Sequence, residues 1–210
     1  PKDYIVRGPQ TMPGNAGDPV IWNDLVRTEV GGRVRLSLDD GSILNVGSGT
    51  QLRVEQHDAQ SQQTNLSMAY GRTRAQVVRL ARPGSRFEIR TNTAVCGVLG
   101  TDFYVEATER STRVIVFQGI VRVTPIVAGA VVGAALGATV NAGQTATAAA
   151  GSVSAPASVT AAQIQTALTA TQASTSAVQA AAVGVAASRV AVVAATAVPP
   201  AAATVIAVPT

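Results

Sequence analysis

The first half of the chain alternates apolar and polar residues in short runs. Val34, Leu36 and Leu38 lie two residues apart and are separated by polar residues. The same spacing returns in seven further pairs: Leu52 and Val54, Leu66 and Met68, Val78 and Leu80, Phe87 and Ile89, Phe103 and Val105, Val114 and Val116, and Val121 and Val123. A period of two is typical of strands with one buried face. Helical periodicity is absent before about Thr160, so we predict a mostly β fold.

Turn-forming residues separate these runs, and their spacing indicates the architecture. Asp40 and Gly41 suit a tight turn because glycine tolerates positive φ and aspartate can bond its own backbone. Many short strands separated by turns are typical of all-β domains. We therefore predict an antiparallel β-roll or sandwich, or a solenoid-like stack, over residues 20–151, preceded by an N-terminal arm at residues 1–19.

The composition changes after Gly151, where alanine, valine and threonine dominate an extension at residues 152–210. Thr160 and Gln163 have capping-box spacing, which predicts a helix over about residues 160–182. Three prolines near the end of the chain favour extended segments after that helix.

Charge is distributed unevenly. The chain holds 16 basic and 12 acidic residues, for a net charge of +4, yet Arg189 is the one charged residue after Thr124. Acidic residues lie among the arginines, which predicts a mixed solvated surface and no nucleic-acid partner. Residues 126–140 would span about 22 Å as a helix, less than the roughly 30 Å of a membrane core. We therefore predict no transmembrane segment, and we interpret the start at Pro1 as a processed, secreted chain.

Residues for catalysis or metal binding are scarce. His57 is the one histidine and lies in a polar stretch, where we expect an exposed loop. Cys96 is the one cysteine, and we expect it buried in a strand, with a bridge between subunits as the alternative. We predict no enzymatic activity, no cofactor and no metal site.

Several stretches resemble the FecR-domain family. They are RVRLSLDDGSILNVGSGTQLRV (33–54), GRTRAQVV (71–78), RFEIRTNTAVCGVLGTDFYVEA (86–107) and VIVFQGIVRV (114–123), with NAGQTATAAAG (141–151) similar to a closing strand. The positions expected to shape the backbone at this motif are Asp40, Gly41, Ser42, Gly97, Gly100, Thr101 and Phe103. We interpret them as structural and not as a ligand site.

The resemblance implies a regulatory function, but this sequence differs from the best-known members of the family. The best-known members of the family are membrane regulators. A cytoplasmic segment contacts a sigma factor, one helix crosses the inner membrane, and the β domain receives a periplasmic signal from an outer-membrane transporter. This sequence shows neither the cytoplasmic segment nor the helix, so it resembles stand-alone, secreted members of the family better.

An apolar insertion at residues 125–140 carries Gly129, Gly133 and Gly137 at four-residue spacing. As a helix it would place the glycines on one smooth face, and as a hairpin it would form an exposed apolar strand pair. Both alternatives leave apolar surface that we expect another part of the chain, or another copy, to cover.

Our first hypothesis is therefore a secreted, non-enzymatic structural protein of the cell exterior. It would assemble with copies of itself, and with cell-surface components, into a fibre or homopolymer. The residues expected at the subunit interface are Gly129, Gly133, Gly137, Val190, Val192, Val193, Val205 and Ile206. The alternative hypothesis is a periplasmic signalling or ligand-binding module that acts in transmembrane regulation with a separate partner.

Overall fold

The computed structural model describes residues 2–133 and 136–172, together with the backbone of residues 190–194. The strands in these ranges are β1 (Asp3–Arg7), β2 (Gln10–Pro13), β3 (Pro19–Val20), β4 (Leu25–Thr28), β5 (Val34–Ser37), β6 (Ile43–Val46), β7 (Gln51–Asp58), β8 (Gln63–Gln76), β9 (Arg86–Arg90), β10 (Ala94–Val98), β11 (Asp102–Ala107), β12 (Ser111–Gln118), β13 (Ile120–Val127), β14 (Ala130–Val131), β15 (Ala138–Asn141), β16 (Gln144–Ala149), β17 (Ser152–Val153), β18 (Ala157–Ser158) and β19 (Val190–Ala194). One helix, α1 (Ala161–Thr171), follows β18.

The strands form two sheets that share β8. The first sheet has the order β2–β1–β4–β7–β8–β9–β10–β13–β15. The second has the order β3–β19–β5–β6–β8–β11–β12–β16, with β17 and β18 paired to β16. Among the described pairs, β8 and β9 are parallel and the rest are antiparallel. Gly71 lies where β8 passes between the sheets, at a φ of 108°, and a side chain there would collide with Thr50.

The apolar residues of both sheets meet in one core. Its fully buried members include Leu36, Leu52, Leu66, Phe87, Ile89, Phe103, Val114 and Val121, which come from the alternating runs of the sequence. The prediction of a mostly β, antiparallel fold with a helix-containing extension is confirmed. Of the alternatives, the antiparallel pairing fits a roll or sandwich.

The N-terminal segment extends the first sheet. The hairpin of β1 and β2 pairs with β4, and Ile5 is buried in the core. At the other end of the predicted domain, β17 and β18 continue the second sheet past residue 151. The boundaries at residues 20 and 151 stay predictions.

The helix begins where the sequence predicts and ends sooner. Thr160 and Gln163 form the capping box, but Gln172 is already extended, with a φ of −65° and a ψ of 107°. The predicted end near residue 182 is therefore wrong, and the serine and threonine side chains at residues 174–176 favour continuation of a helix poorly. Within α1, Ala167 and Thr171 are the buried residues. Residues 173–189 lie outside the described ranges.

The apolar insertion forms a hairpin between β13 and β14. Val127 pairs with Ala130, and the turn residues Ala128 and Gly129 have φ values of 49° and 80°. Two successive positive φ values are typical of two-residue type I′ turns, whose twist matches that of the two strands of a hairpin. The helical alternative is therefore wrong, because Gly129 occupies this turn and Gly133 lies in the following loop. Gly137 precedes β15.

Candidate functional site

The turn between β5 and β6 is the first part of the family motif. The backbone N–H of Ser42 donates to Asp40 Oδ1 at 2.8 Å, and the Ser42 hydroxyl donates to Asp40 Oδ2 at 3.1 Å. Gly41 has a φ of 86°, which glycine adopts without steric cost. The N–H of Val78 donates to Ser42 Oγ at 3.1 Å, so the turn is joined to the segment at residues 77–80.

The same segment runs beside the glycine motif. Val77 N–H donates to the Thr101 carbonyl at 3.0 Å, and Leu80 N–H donates to the Leu99 carbonyl at 2.9 Å. Gly100 lies between these bonds at a φ of 137°, and a Cβ there would stand 2.8 Å from Arg79 Cα. Glycine is therefore required here both by the backbone angle and by the close approach of the two segments.

Thr101 adds a third segment. Its hydroxyl donates to the Ile120 carbonyl at 2.9 Å, and a Cβ at Gly119 would stand 2.8 Å from the Gly100 carbonyl oxygen. Phe103, two residues further on, is fully buried in the core. Residues 40–42, 77–80, 99–101 and 119–120 thus meet at one end of the two sheets, and we call this region the motif corner.

Two large apolar side chains are exposed at the motif corner. Leu99 is 63% exposed and Ile120 is 54% exposed. Each lies next to a member of the buried pair Val98 and Val121 and faces outwards, because successive side chains along an extended chain alternate between faces. On β9, the exposed Arg86 precedes Phe87, which pairs with Val98.

The next outward-facing row of the first sheet has a glycine at its centre. Gly97 lies between Glu88 on β9 and Arg122 on β13. A Cβ at Gly97 would contact nothing closer than the Glu88 side chain at 3.9 Å, so the space above it is open. The name corner patch is used below for the exposed group formed by Arg79, Arg86, Leu99, Ile120 and Arg122.

The outer face of the second sheet is covered. Helix α1 packs on it through a small cluster of Ala167, Tyr104 and Ile115. Burial raises the pKa of Tyr104. Beside the helix, Arg74 binds Asp102 through two hydrogen bonds of 2.8 and 2.6 Å. The corner patch therefore belongs to the sheet whose outer face carries no described helix.

His57 lies in the core, and the expectation of an exposed loop is wrong. It is fully buried on β7, and its Nδ1 lies 2.9 Å from Thr64 Oγ1. A register shift between Val54 and Gln56 changes which positions face inwards, so His57 and not Gln56 enters the core. Burial lowers its pKa, and the indole N–H of Trp22 donates to its carbonyl at 2.8 Å.

Cys96 is buried, as predicted, and burial raises the pKa of its thiol to about 12. No group of three or more His, Cys, Asp or Glu side chains that could hold a metal is present in residues 2–133 and 136–172. Across the same ranges, no helix has the length and apolarity needed to span a membrane.

The expected interface residues lie in two places. Gly129 and Gly133 have open space around them, and the neighbouring Val127 and Val131 are 45% and 49% exposed. The backbone of Val190, Val192 and Val193 lies in β19, between β3 and β5 of the same chain. Val205 and Ile206 lie outside the described residues.

The sequence did not single out the corner patch. Leu99 and Ile120 are each preceded or followed by glycine and stand out of phase with the buried residues beside them. Their position in the alternating pattern could have indicated their exposure, because an apolar residue at an outward-facing position of a strand is exposed.

Comparison with known proteins identifies the domain. The family model described as FecR protein matches residues 24–122. A crystal structure of a candidate anti-sigma factor from Parabacteroides distasonis ATCC 8503 is similar, with a TM-score of 0.52 and 20% identity, over 70% of this chain and 62% of that one. A second such structure from the same organism gives 0.50 and 19%, over 73% and 62%.

These identities show a shared fold, and this chain spans less than two thirds of either neighbour. A search of curated proteins finds no match. The motif corner and most of the two-sheet core fall within the matched range, and the chain carries a FecR-family domain over residues 24–122.

Proposed function

We propose that this chain is a non-enzymatic regulatory module that acts in the periplasm or at the cell exterior. It passes on a signal by binding a separate protein partner. The observation that carries this proposal is the FecR-family domain, whose motif residues build the corner that displays Leu99 and Ile120.

The structural neighbours support a regulatory role. Both are named as candidate anti-sigma factors, a class of protein that controls transcription through protein contacts. The family resemblance places the corresponding β domain of the best-known regulators in the periplasm. The mixed, partly basic surface of this domain suits contact with another protein.

The use of the polar motif side chains supports a binding role over catalysis. The Ser42 hydroxyl donates to Asp40 in the same turn, and the Thr101 hydroxyl donates to the Ile120 carbonyl. Asp102 accepts a hydrogen bond from Arg74. Groups that are committed to internal hydrogen bonds position the backbone and are not placed to attack or protonate a substrate.

Deletion of the gene in its host tests the proposal. Transcripts are compared genome-wide between the parent, the deletion strain and a strain complemented with the full chain. We expect one coherent group of genes, sharing a promoter class, to change on deletion and return on complementation. An unchanged transcript profile under conditions in which the protein is produced would refute the regulatory role.

Self-assembly is a second candidate, because residues 123–131 of the β13–β14 hairpin are uncharged and Val127 and Val131 are exposed. In this structure β19 pairs with β5 of its own chain. Assembly through β19 would therefore require two copies to exchange this strand. Analytical ultracentrifugation and negative-stain imaging test it. Filaments that Val131→Asp abolishes would support assembly, and a monomer at all concentrations would exclude it.

A further inference from the structure

We propose that His57 acts as a proton-operated latch between β7 and the loop at residues 21–24. While the ring is neutral, this loop stays closed on the end of the β7–β8 hairpin. When the ring takes up a proton it leaves the core, and this end of the domain opens. The inference concerns the conformations of the domain itself and goes beyond the proposed function, on which it does not depend.

Only one nitrogen of the buried imidazole ring has a hydrogen-bond partner. His57 is 0% exposed, and its Nδ1 lies 2.9 Å from Thr64 Oγ1. Its Nε2 is also buried and has no hydrogen-bond partner among the residues that the structure describes. A neutral ring leaves one uncharged group unpaired there, whereas a protonated ring has two N–H donors and a positive charge. Protonation therefore opposes burial of this ring, because an unpaired charge in the core costs far more free energy than an unpaired neutral group.

The stretch of β7 that carries His57 lies beyond the end of the neighbouring strand β4. The last pair of these two strands is Leu25 with Arg53. Past that pair the loop at residues 21–24 takes the place of β4, and the indole N–H of Trp22 donates to the His57 carbonyl at 2.8 Å. Trp22 is 45% exposed, so the loop is the outer cover of this stretch. The loop can therefore separate from β7 without the loss of a strand pair.

Few hydrogen bonds hold this end of the domain closed. Asn23 N–H donates to the Val54 carbonyl at 2.7 Å, and Val54 N–H donates to the Asp24 carbonyl at 3.0 Å. The register shift between Val54 and Gln56 interrupts the pairing of β7 with β8 at the same place, and three residue pairs follow it to the end of the hairpin. A short strand end of this kind opens at a lower free energy than the whole domain does.

The charged groups around the ring favour its protonated form outside the core. Asp39 and Asp40 in the β5–β6 turn and Asp58 on β7 attract the proton, but burial outweighs them and lowers the pKa of His57 from 6.5. Once the charged ring reaches water, these carboxylates stabilise it and the penalty of burial is gone. The remaining charged groups on the neighbouring segments are Asp24, which is paired with Arg7, and the exposed Arg53, Glu55, Arg79, Arg82 and Arg86.

The end of the hairpin is joined to the motif corner. Gln62, which follows β7, accepts hydrogen bonds through Oε1 from the N–H groups of Ala81 and Arg82 at 3.0 and 3.1 Å. Its carbonyl accepts from Arg86 N–H at 2.9 Å. Residues 77–80 of the motif corner directly precede this segment. The latch thus makes the segment beside the motif corner sensitive to pH.

Proton linkage gives the size of the effect. In the open form the ring is in water and has its ordinary pKa of 6.5, whereas the closed form binds the proton more weakly. Because the pKa is lowered in the closed form, the latch is fully closed above pH 6.5 and weakens as the pH falls. The ratio of open to closed molecules should rise about tenfold between about pH 7.5 and about pH 5.5.

Amide hydrogen exchange of Asn23 and Val54, read by NMR on the full chain, tests the latch. Their hydrogen bonds join the loop to β7, so these amides exchange when the loop separates. His57→Gln is the matched variant, because glutamine keeps a polar side chain but does not titrate. The ratio of the parent rate to the variant rate cancels the intrinsic effect of pH and the titration of Asp3, which both proteins share.

We expect this ratio to rise about tenfold between about pH 7.5 and about pH 5.5 at both amides. The amides of β10, which lies between β9 and β13, are the internal control and should keep a constant ratio. A change of less than about twofold at Asn23 and Val54 would overturn the latch. An equal rise at the β10 amides would also overturn it, since the whole domain would then be unfolding.

The parent protein alone provides a second measurement, which decides the matter if His57→Gln does not fold. His57 is the one histidine, so its ring C–H signals report its protonation directly. They should titrate with a midpoint below 6.5, and the corrected exchange rates of Asn23 and Val54 should rise over the same pH interval. A midpoint at or above 6.5, or ring protonation without faster exchange at these amides, would refute the proposal.

Discussion

Replacement of Asp3 by asparagine should stabilise the protein at neutral pH. Asp3 lies on β1 and is 7% exposed, and its Oδ1 has no hydrogen-bond partner in the described residues. Burial raises the pKa of this carboxyl from 3.8 to about 6, against the attraction of Lys2 and with a contribution from Glu29. The folded state therefore binds a proton more tightly than the unfolded state does.

The magnitude follows from the two pKa values. A shift from 3.8 to about 6 corresponds to about 3 kcal/mol at 25 °C. Because the pKa is raised on folding, this contribution to stability is fully present below pH 3.8. It is lost as the pH rises through the folded-state value of about 6. Asparagine carries no charge, so the variant loses no stability at this position as the pH rises.

Urea unfolding measures the effect, with the fluorescence of Trp22, the one tryptophan, as the signal. The difference in free energy of unfolding between Asp3→Asn and the parent is determined at about pH 3 and about pH 7. We expect this difference to grow by about 3 kcal/mol towards neutral pH. Comparing two pH values cancels the pH-independent effect of exchanging an oxygen for an amide.

Glu109→Gln is the matched control, because Glu109 is exposed. Its effect on the free energy of unfolding should be small at both pH values. An Asp3→Asn difference that is the same at both pH values would show that the carboxylate is not penalised by burial. The assignment of β1 to the edge of a buried core would then be wrong at this position.

Three further predictions concern His57, Gly100 and Cys96. Burial lowers the pKa of His57 from 6.5, so the parent should lose stability as the pH falls below 6.5, and His57→Gln should lack that part of the pH dependence in the same urea assay. Gly100→Ala should cost roughly 1–3 kcal/mol, through its positive φ and a collision with Arg79, whereas Gly133→Ala in open space should be nearly neutral; equal free energies of unfolding would contradict this. The Cys96 thiol, whose pKa burial raises to about 12, should resist Ellman's reagent in the native protein and react once urea unfolds it; rapid native labelling would show that the strand is open.

The strands were predictable because their signal is local. Leu36, Phe87 and Val121 each stand in a run that alternates apolar and polar residues, and each is buried. The pairing of the strands was not predictable, since β8 joins both sheets and pairs with β6 and β11, whose residues are far from it in the chain. Alternation fixes which face of a strand is buried but does not say which strand lies beside it.

The errors also have local physical causes. A one-residue bulge in β7 moved His57 from the surface to the core, and such irregularities leave no clear mark in composition. The capping box fixed the start of α1 at Thr160, but no comparable signal marked its end at Thr171. Start signals of helices rest on specific hydrogen bonds, whereas the sequence just after Thr171 contains no glycine of the kind that commonly caps a helix end.

The distribution of covered and open surface connects the fold to the proposed function. Helix α1 packs on the outer face of the second sheet, and β19 pairs within that sheet between β3 and β5, so the chain's own extension reduces the exposed area of the sheet. The first sheet has no described helix on its outer face, and its corner holds Leu99 and Ile120 outward on glycine-shaped backbone. If the motif glycines served packing alone, burying these two residues would stabilise the corner further. The proposed function accounts for their exposure by contact with a partner, so substitutions at positions 99 and 120 should alter binding and leave folding intact.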